Sequence, residues 1–330
     1  MTAAPSDSPW GSARRLSASR SVRPLVPLLS LLLVLLLGAC GSGTSRKPSS
    51  LEDKVRVSGK FGEKPTITIA TPLKVPSSRS WTLVEGDRDT LRPDSTTILQ
   101  LSLADTRTGK TLISTADPGQ RPIEASLSDQ LFPSLVTALT GARAGSRLVV
   151  ASTAKDSYGT QGNSQLGIKS GDPVVMVADV LSSDPASVLP GPTGASTPAP
   201  TGAPRIQTSG ADPGGFDVKG LRKPKKAEVF KLREGTGRTL TGPRRIAADY
   251  LGQVWGAKVP FDSSYPKEPA RFSVGISGVV PCWDKALEGL KTGARVLLVC
   301  PPATAYGKRP QPHIPADSTL VFLVDVLGVG

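Results

Sequence analysis

Hydrophobic positions occur in short runs that glycine and proline separate along most of the chain. In the last third, residues 246–251, 270–274, 295–300 and 319–326 are apolar runs rich in β-branched or aromatic side chains. Runs of this kind, bounded by turn residues, predict strands. Only residues 282–289 carry the narrow apolar face of a short helix. The pattern predicts an α+β fold in which one helix packs across an antiparallel sheet.

The N-terminal pattern differs, because a nearly unbroken apolar run at residues 25–37 follows several arginines. The run is shorter than the roughly 20 residues that span a bilayer as a helix, so it predicts a secretory signal; an uncleaved signal anchor is the alternative. The tetrapeptide LGAC at 37–40 resembles the lipobox of bacterial lipoproteins. The resemblance implies a signal peptide over 1–39, a lipid on the Cys40 sulfur and a Gly/Ser-rich tether over 40–50.

The chain also contains an internal similarity. GSRLVV at 145–150 and Tyr158-Gly159 resemble GARVLL at 293–298 and Tyr306-Gly307, and each pair is 148 residues apart. A shared offset predicts two copies of one domain, which we place at 51–184 and 216–330. Residues 185–215 are rich in Pro, Gly, Ala and Thr and predict a linker.

The amino-acid composition limits the kinds of catalytic and metal sites that the chain can form. The chain has one histidine, three cysteines and no CxxC motif, so it offers little for a Ser/His/Asp triad or a zinc site. We expect no metal and no cofactor. The net charge of +13 suits either plain solubility or anionic partners such as phospholipid headgroups or wall polymers. No basic motif interleaved with aromatics points to nucleic acid.

Four motifs in the last third resemble the FKBP-type prolyl isomerases in order and spacing. They are VPFDSS at 259–264, GVVPCW at 278–283, AYG at 305–307, and IP at 314–315 followed by TLVF at 319–322. The resemblance covers about 110 residues. It implies an FKBP-like half-barrel sheet wrapped around a short helix, with a proline pocket between helix and sheet. It implies no cofactor.

The resemblance also implies roles for individual residues. Aromatic side chains would form the floor and walls of the pocket, while a backbone amide and a hydroxyl would donate to the substrate. The residues so assigned to catalysis are Tyr250, Phe261, Asp262, Val280, Trp283, Tyr306 and Phe322. Those expected to contact or support the substrate are Phe272, Val279 and Ile314. The alternative is that these aromatics are an ordinary core.

The predicted pocket residues are of types that suit catalysis of rotation about a peptide bond. Resonance gives the peptide bond a barrier of about 18–20 kcal/mol, and the twisted amide is less polar than the planar one. An apolar pocket therefore favours the twisted state over the ground state. We expect an isomerase on the outer face of the cytoplasmic membrane, held by its lipid anchor. Its expected partners are proline-containing secreted or surface polypeptides, with macrolide inhibitors as further ligands. A proline-binding module and an envelope scaffold are the alternatives.

The first copy lacks the aromatic set. At the shared offset, Leu135 replaces Trp283 and Phe132 replaces Val280, and the notable survivor is Tyr158, which matches Tyr306. The same alignment sets Ser102 against Tyr250 and Ile113-Ser114 against Phe261-Asp262, and after a two-residue slip further along the chain it sets Met176 against Phe322. We expect an FKBP-like fold with little or no activity at 51–184, serving as a spacer, a client-binding surface or a partner dock.

Two cysteines of the second copy are also missing from the first. Cys282 and Cys300 correspond to Ser134 and Ser152, so both thiols are missing together from the first copy. In an exported domain, two remaining thiols predict a disulfide. Two buried free thiols are the alternative.

Overall fold

A computed structural model describes residues 50–127, 131–265 and 267–330. The predicted signal peptide, Cys40 and nearly all of the predicted tether lie outside these residues. Within them, no helix combines the length and the apolar character needed to cross a membrane.

Short strands dominate the described chain. The helices are α1 (Leu51–Lys54), α2 (Pro133–Leu139) and α3 (Pro281–Leu287). The strands of the first half are β1 (Val55–Ser58), β2 (Thr66–Ile69), β3 (Arg79–Val84), β4 (Thr96–Asp105), β5 (Thr111–Ser114), β6 (Ile123–Ser126), β7 (Arg147–Ser152) and β8 (Val174–Ser183). Those of the second half are β9 (Arg205–Ser209), β10 (Asp212–Asp217), β11 (Glu228–Glu234), β12 (Arg244–Val254), β13 (Asp262–Ser263), β14 (Ala270–Val274), β15 (Ala294–Cys300) and β16 (Leu320–Val329).

Each half contains a six-stranded antiparallel sheet with the same strand path. The first sheet runs β3-β7-β8-β4-β5, with β6 also paired to β4. The second runs β11-β15-β16-β12-β13, with β14 also paired to β12. A short helix packs against each sheet, so the predicted α+β fold is confirmed and is present twice.

The predicted elements of the second half are also present. The four predicted strands correspond to β12, β14, β15 and β16, although β12 and β16 extend three residues further toward the C-terminus. The helix ends at Leu287, two residues earlier than predicted. Gly289 adopts φ +80°, and a left-handed glycine just past a helix ends it.

The concave face of each sheet holds the main core. In the second half, α3 buries Cys282, Trp283 and Leu287 against β12, β15 and β16. In the first half, α2 buries Ser134, Leu135 and Leu139 in the same way. Both helices have proline at their first position, where the missing N–H costs no hydrogen bond.

The convex face of each sheet is covered by a two-stranded hairpin, β1–β2 on the first and β9–β10 on the second. The first hairpin is held by the buried ion pair Arg147–Asp179, whose Nε and Oδ1 atoms lie 2.6 Å apart. The Arg147 guanidinium also donates to the carbonyl oxygens of Gly59, Lys60 and Glu63. The pair therefore joins two strands of the sheet to the hairpin loop.

The proline- and glycine-rich segment lies against the second sheet. The N–H groups of Leu189, Thr193 and Thr197 donate to the carbonyls of Leu327, Gly293 and Leu232. The segment then enters the β9–β10 hairpin, whose Phe216 is buried. The boundaries 51–184, 185–215 and 216–330 stay predictions.

The two sheets contact each other where β8 ends and β12 begins. The buried Arg245 donates to Asp184 at 2.9 Å and to Glu124 at 3.1 Å, both from the first half. Its backbone N–H donates to the Ser182 hydroxyl at 2.9 Å. A residue of the second sheet thus satisfies polar groups of the first.

Replacing Arg147 by Met should strongly destabilise the chain, because Asp179 would stay buried without its partner. We expect a loss of about 3–5 kcal/mol in the free energy of unfolding, measured by urea denaturation. Arg205→Met is the control, since Arg205 pairs with Asp217 at the surface and such pairs contribute about 0–1 kcal/mol. Equal losses in the two variants would contradict the assignment.

Candidate active site

A small cavity opens between α3 and the concave face of the second sheet, with a volume of about 190 Å³. Its walls combine aromatic rings, two valines, a glycine and three polar side-chain groups, namely two tyrosine hydroxyls and one carboxylate. The lining residues are Tyr250, Phe261, Asp262, Phe272, Gly278, Val279, Val280, Trp283, Tyr306 and Phe322. A larger cavity of about 800 Å³ lies elsewhere, under residues 196–206, but it has no comparable set of aromatic side chains.

Trp283 is at the centre of the ring cluster. Its ring centroid lies 5.9 Å from that of Tyr250, 5.1 Å from Phe272 and 5.4 Å from Phe322, and each pair meets edge to face. Phe261 meets Phe322 in the same way at 5.8 Å. Edge-to-face pairs add about 0.5–1.5 kcal/mol each beyond their buried area. The rings therefore support one another and hold the cavity open in a fixed shape.

Gly252 allows two of these rings to lie against the backbone of β12. A Cβ atom at this position would come within 2.5 Å of the Phe261 ring and 3.0 Å of the Phe322 ring. Gly252 was not among the predicted site residues, although an isolated glycine in a strand pattern is a signal for close approach of another group. Gly252 is thus a structural requirement of the cavity.

The polar groups at the cavity are few. The Tyr250 hydroxyl donates a hydrogen bond to the Asp262 carboxylate, and burial, followed by this bond, raises the pKa of Tyr250 well above its ordinary value. The Val280 backbone N–H donates no hydrogen bond within the described chain. Tyr306 is 39% exposed at the rim. The cavity therefore offers two donor groups, the Val280 amide and the Tyr306 hydroxyl, to a ligand carbonyl.

The indole Nε1 of Trp283 is also a donor without a partner among the described residues, and it is buried. No group of three or more His, Cys, Asp or Glu side chains in the described residues is placed to hold a metal ion.

Asp284 fixes the loop that enters α3. Its carboxylate accepts from the backbone N–H of Gly275 at 2.8 Å and of Ser277 at 3.1 Å. The loop continues through Gly278 and Val279 into the cavity wall. Asp284 was not among the predicted site residues, because an aspartate in the first turn of a helix is common and does not by itself indicate a site.

The structure brings nine of the ten predicted pocket residues to one cavity. The exception is Ile314, which is 5% exposed and packs in the core with Trp283 and Phe322. It does not line the cavity. The roles of all ten in substrate binding and catalysis stay predictions.

A disulfide joins Cys282, in the first turn of α3, to Cys300 at the end of β15. It ties the residue next to Trp283 to the sheet. In the first half, Ser134 and Ser152 occupy the equivalent positions, and the Ser134 hydroxyl donates to Ser152 at 2.8 Å. A hydrogen bond thus replaces the covalent link across the same pair of elements.

The strand register corrects two assignments in the first half. β4 pairs Leu101 with Ala178, as β12 pairs Tyr250 with Val324. Leu101, and not Ser102, is therefore the counterpart of Tyr250. Likewise the counterparts of Phe261-Asp262 are Leu112-Ile113, and not Ile113-Ser114. The offset between the halves is therefore 149 residues at these positions (250 − 101 and 262 − 113) instead of 148, and a shift of one residue reverses the face of a strand.

With this register, side chains fill the concave face of the first half. The counterpart of Gly252 is Leu103, which is buried in the core. Phe132, in the place of Val280, packs its ring edge to face on Tyr158 with centroids 4.9 Å apart. No aromatic ring replaces Trp283, and the first half keeps the tyrosine without the cavity's ring cluster.

Comparison with known proteins agrees with this geometry. Residues 237–327 match the family model described as FKBP-type peptidyl-prolyl cis-trans isomerase. We call these residues the FKBP segment, after the family whose model they match. The match includes every residue that lines the aromatic cavity and none of the first half.

Two curated proteins are similar to about a third of the chain. "FKBP-type peptidyl-prolyl cis-trans isomerase FkpA" of Escherichia coli is 37% identical over 113 residues, which are 34% of this chain and 41% of that protein. "FK506-binding protein 4" of Chaetomium thermophilum is 39% identical over 95 residues, 29% of this chain and 20% of that protein. The chain thus spans less than half the length of these curated relatives.

Two solved structures are also similar. The three FKBP domains of wheat FKBP73 align over 77% of this chain and 95% of that one, at 16% identity and a TM-score of 0.33. FkpA from Escherichia coli aligns over 32% of this chain and 53% of that one, at 34% identity and a TM-score of 0.29.

Replacing both Cys282 and Cys300 by Ser should destabilise the FKBP segment without changing its fold, since the first half uses a serine pair in the same place. The cysteines are 18 residues apart, and closing a loop of this length contributes about 3 kcal/mol. Urea denaturation measures the loss, and Ser134→Ala serves as control with an expected loss of about 1 kcal/mol. Unchanged stability, or an intact mass that does not rise on reduction, would contradict the disulfide.

Proposed function

We propose that the FKBP segment catalyses cis/trans isomerisation of X-Pro peptide bonds. The observation that supports this best is the aromatic cavity, in which Trp283 contacts three other rings and free donors stand at the wall. The cavity of about 190 Å³ is small, as suits a single side chain, whereas pockets for drug-sized ligands have about 300–1,000 Å³.

The proposed catalysis follows from the loss of resonance when the amide twists. Rotation about the X-Pro bond removes resonance, so the carbonyl oxygen carries less charge in the twisted state. Moving the amide from water into an apolar cavity raises the free energy of the planar form more than that of the twisted form. The Val280 N–H and the Tyr306 hydroxyl hold the neighbouring carbonyls, and each 1.4 kcal/mol of selective stabilisation gives about a tenfold rate increase.

The proposed location and partners rest on the sequence. Residues 1–39 would direct export, and the lipid on Cys40 would hold the chain on the outer face of the cytoplasmic membrane. The substrates would be proline-containing secreted or surface polypeptides. Several relatives carry the name FK506-binding protein, and we extend macrolide binding to this site as part of the proposal, with only part of such a ligand inside the small cavity.

The first half would not contribute catalysis. It lacks the ring cluster, and Leu103 and Phe132 occupy the concave face. Its role in the proposal is to support the FKBP segment, with which it shares the buried contacts of Arg245.

Replacing Trp283 by Leu, the residue that the first half has at this position, should lower kcat/KM at least about tenfold, because three edge-to-face contacts are lost. Tyr306→Phe removes one donor and should lower kcat/KM about two- to tenfold. The measurement is the cis-to-trans rate of an Ala-Pro test peptide with the full chain.

The first half provides matched controls for both variants. Tyr158→Phe and Leu135→Val change the equivalent positions there and should leave the rate unchanged. Circular dichroism confirms that each variant is folded. Binding of the peptide by the wild-type chain without any acceleration of isomerisation would favour a binding module and contradict the enzymatic proposal.

Replacing Cys40 by Ser should release the chain from membranes. Buried acyl chains contribute about 0.8 kcal/mol per CH₂ group, so two chains hold a protein firmly, and the serine variant lacks the sulfur that would carry them. Detergent phase partitioning after expression in bacteria measures the difference. Cys282→Ser is the control and should partition like wild type, whereas wild type in the aqueous phase would contradict lipidation.

A further inference from the structure

A basic loop, residues 219–226, joins β10 to β11. Its sequence is KGLRKPKK, so five of its eight side chains are cationic and none is acidic. All five cationic side chains are exposed, and none of them forms an ion pair within the described chain. The loop is separate from the aromatic cavity, whose lining includes none of its residues.

The backbone of the basic loop makes few contacts that would turn its charges inward. The Leu221 N–H donates to the Val218 carbonyl at 3.0 Å, and no further backbone hydrogen bond of the described residues involves 222–227. The nearest acidic residues in the sequence are Asp217, which already pairs with Arg205 at 2.7 Å, and Glu228. The positive charges of the loop therefore face solvent and are not neutralised by direct contact.

A buried glutamine of β12 holds a second loop beside the basic one. The Gln253 side chain accepts from the Phe216 N–H at 2.9 Å and donates to the Phe216 carbonyl at 3.0 Å. It also donates to the Ala257 carbonyl at 2.7 Å. Ala257 belongs to the turn at 256–259 that follows β12, and Phe216 lies shortly before Lys219. One side chain thus ties the turn to the start of the basic loop.

This turn adds a further cation and an apolar side chain to the same surface. Lys258 and Lys219 line one cavity of about 400 Å³, so their charges lie near each other. The one acidic residue of that lining, Asp217, is the partner of Arg205. Val259 is 71% exposed, the highest fraction among the exposed large hydrophobic side chains of the described residues. Unpaired cations and an exposed apolar side chain therefore occur together here.

We propose that the basic loop and the turn at 256–259 form a surface that binds an anionic phospholipid bilayer. Clusters of roughly four to eight Lys and Arg side chains attract anionic lipid surfaces, and each one near the surface strengthens binding about fivefold. A dissolved anionic polymer would attract the same cations. Only a bilayer, however, gives the exposed Val259 an apolar phase to enter.

The surface would add a second membrane contact to the proposed lipid on Cys40, and it does not depend on that lipid. A single flexible tether keeps the chain near the bilayer but leaves it free to rotate. A tether also turns a second contact into an intramolecular event, so that even weak binding at the surface is populated. The two contacts together would fix the orientation of the FKBP segment relative to the bilayer.

The test is co-sedimentation of the full chain with vesicles, in a Cys40→Ser background so that no lipid holds the protein. We expect binding to phosphatidylglycerol vesicles at least about tenfold tighter than to phosphatidylcholine vesicles. Because the attraction is electrostatic, the preference should fall as sodium chloride rises from about 0.05 M to about 0.5 M. Residues 1–50 are the same in every sample, so differences between variants of the surface belong to the surface.

The triple variant Lys223→Gln, Lys225→Gln and Lys226→Gln should bind phosphatidylglycerol vesicles about tenfold or more weakly, since three charges are lost. Val259→Ser should weaken binding about two- to tenfold through the lost apolar contact. Neither variant touches the aromatic cavity, so the isomerisation rate of the test peptide in solution should be unchanged in both. A failure of the surface is thereby distinguished from a failure of the proposed enzymatic function.

A matched triple variant of the first half controls for net charge. It changes three exposed lysines that form no ion pair within the described chain, Lys74→Gln, Lys155→Gln and Lys169→Gln, and it should bind vesicles like the parent. Equal weakening by the two triple variants would overturn the proposed surface. So would equal binding of the parent to the two kinds of vesicle, or binding of the parent to soluble polyglycerol phosphate without binding to phosphatidylglycerol vesicles.

Discussion

A seven-residue helix has to fill the concave side of a six-stranded sheet, and the rest of the architecture follows from this mismatch. The helices α2 and α3 each bury only three side chains, so part of each sheet must be covered in another way. In the first half, aliphatic side chains and Phe132 take up the space. In the second half, aromatic rings surround the space on the concave side and leave a cavity. An empty space of this kind is costly in a closely packed protein, and it persists because rigid walls keep it from collapsing.

Comparison of the halves separates what holds the frame from what builds the cavity. The ion pair on the convex face is present twice, as Arg147–Asp179 and as Arg295–Asp325, each at 2.6 Å. The link between helix and sheet is also present twice, as a serine pair and as a disulfide. The cluster of aromatic rings around Trp283, by contrast, has no counterpart in the described residues of the first half. The frame is thus independent of the cavity, and loss of the rings does not require loss of the fold.

Most of the fold, and most of the residues that line the cavity, could be predicted from the sequence. Strands and helix have local periodicities, and aromatic side chains are rare enough here to stand out. The register of β4 was not predictable to one residue, because Ser102 and Leu101 both suit a half-buried strand. Gly252 left only the weak signal of an isolated glycine in a strand pattern, and Asp284 acts through hydrogen bonds to backbone N–H groups that no side-chain pattern records. Ile314 packs in the core beside the cavity and not in its lining, and its contact with a ligand stays a prediction.

The polar groups of the cavity limit the chemistry that it can support. An acid or base that transfers protons has to be free to change its protonation state. The one carboxylate at the wall, Asp262, accepts a hydrogen bond from Tyr250, and that hydroxyl is harder to ionise than an ordinary tyrosine. The remaining groups are rings, a backbone amide and the Tyr306 hydroxyl. Such a cavity can hold and desolvate an amide but lacks an acid–base pair to cleave it. Rotation about a bond is the reaction that needs only these two effects, because no atom has to be transferred.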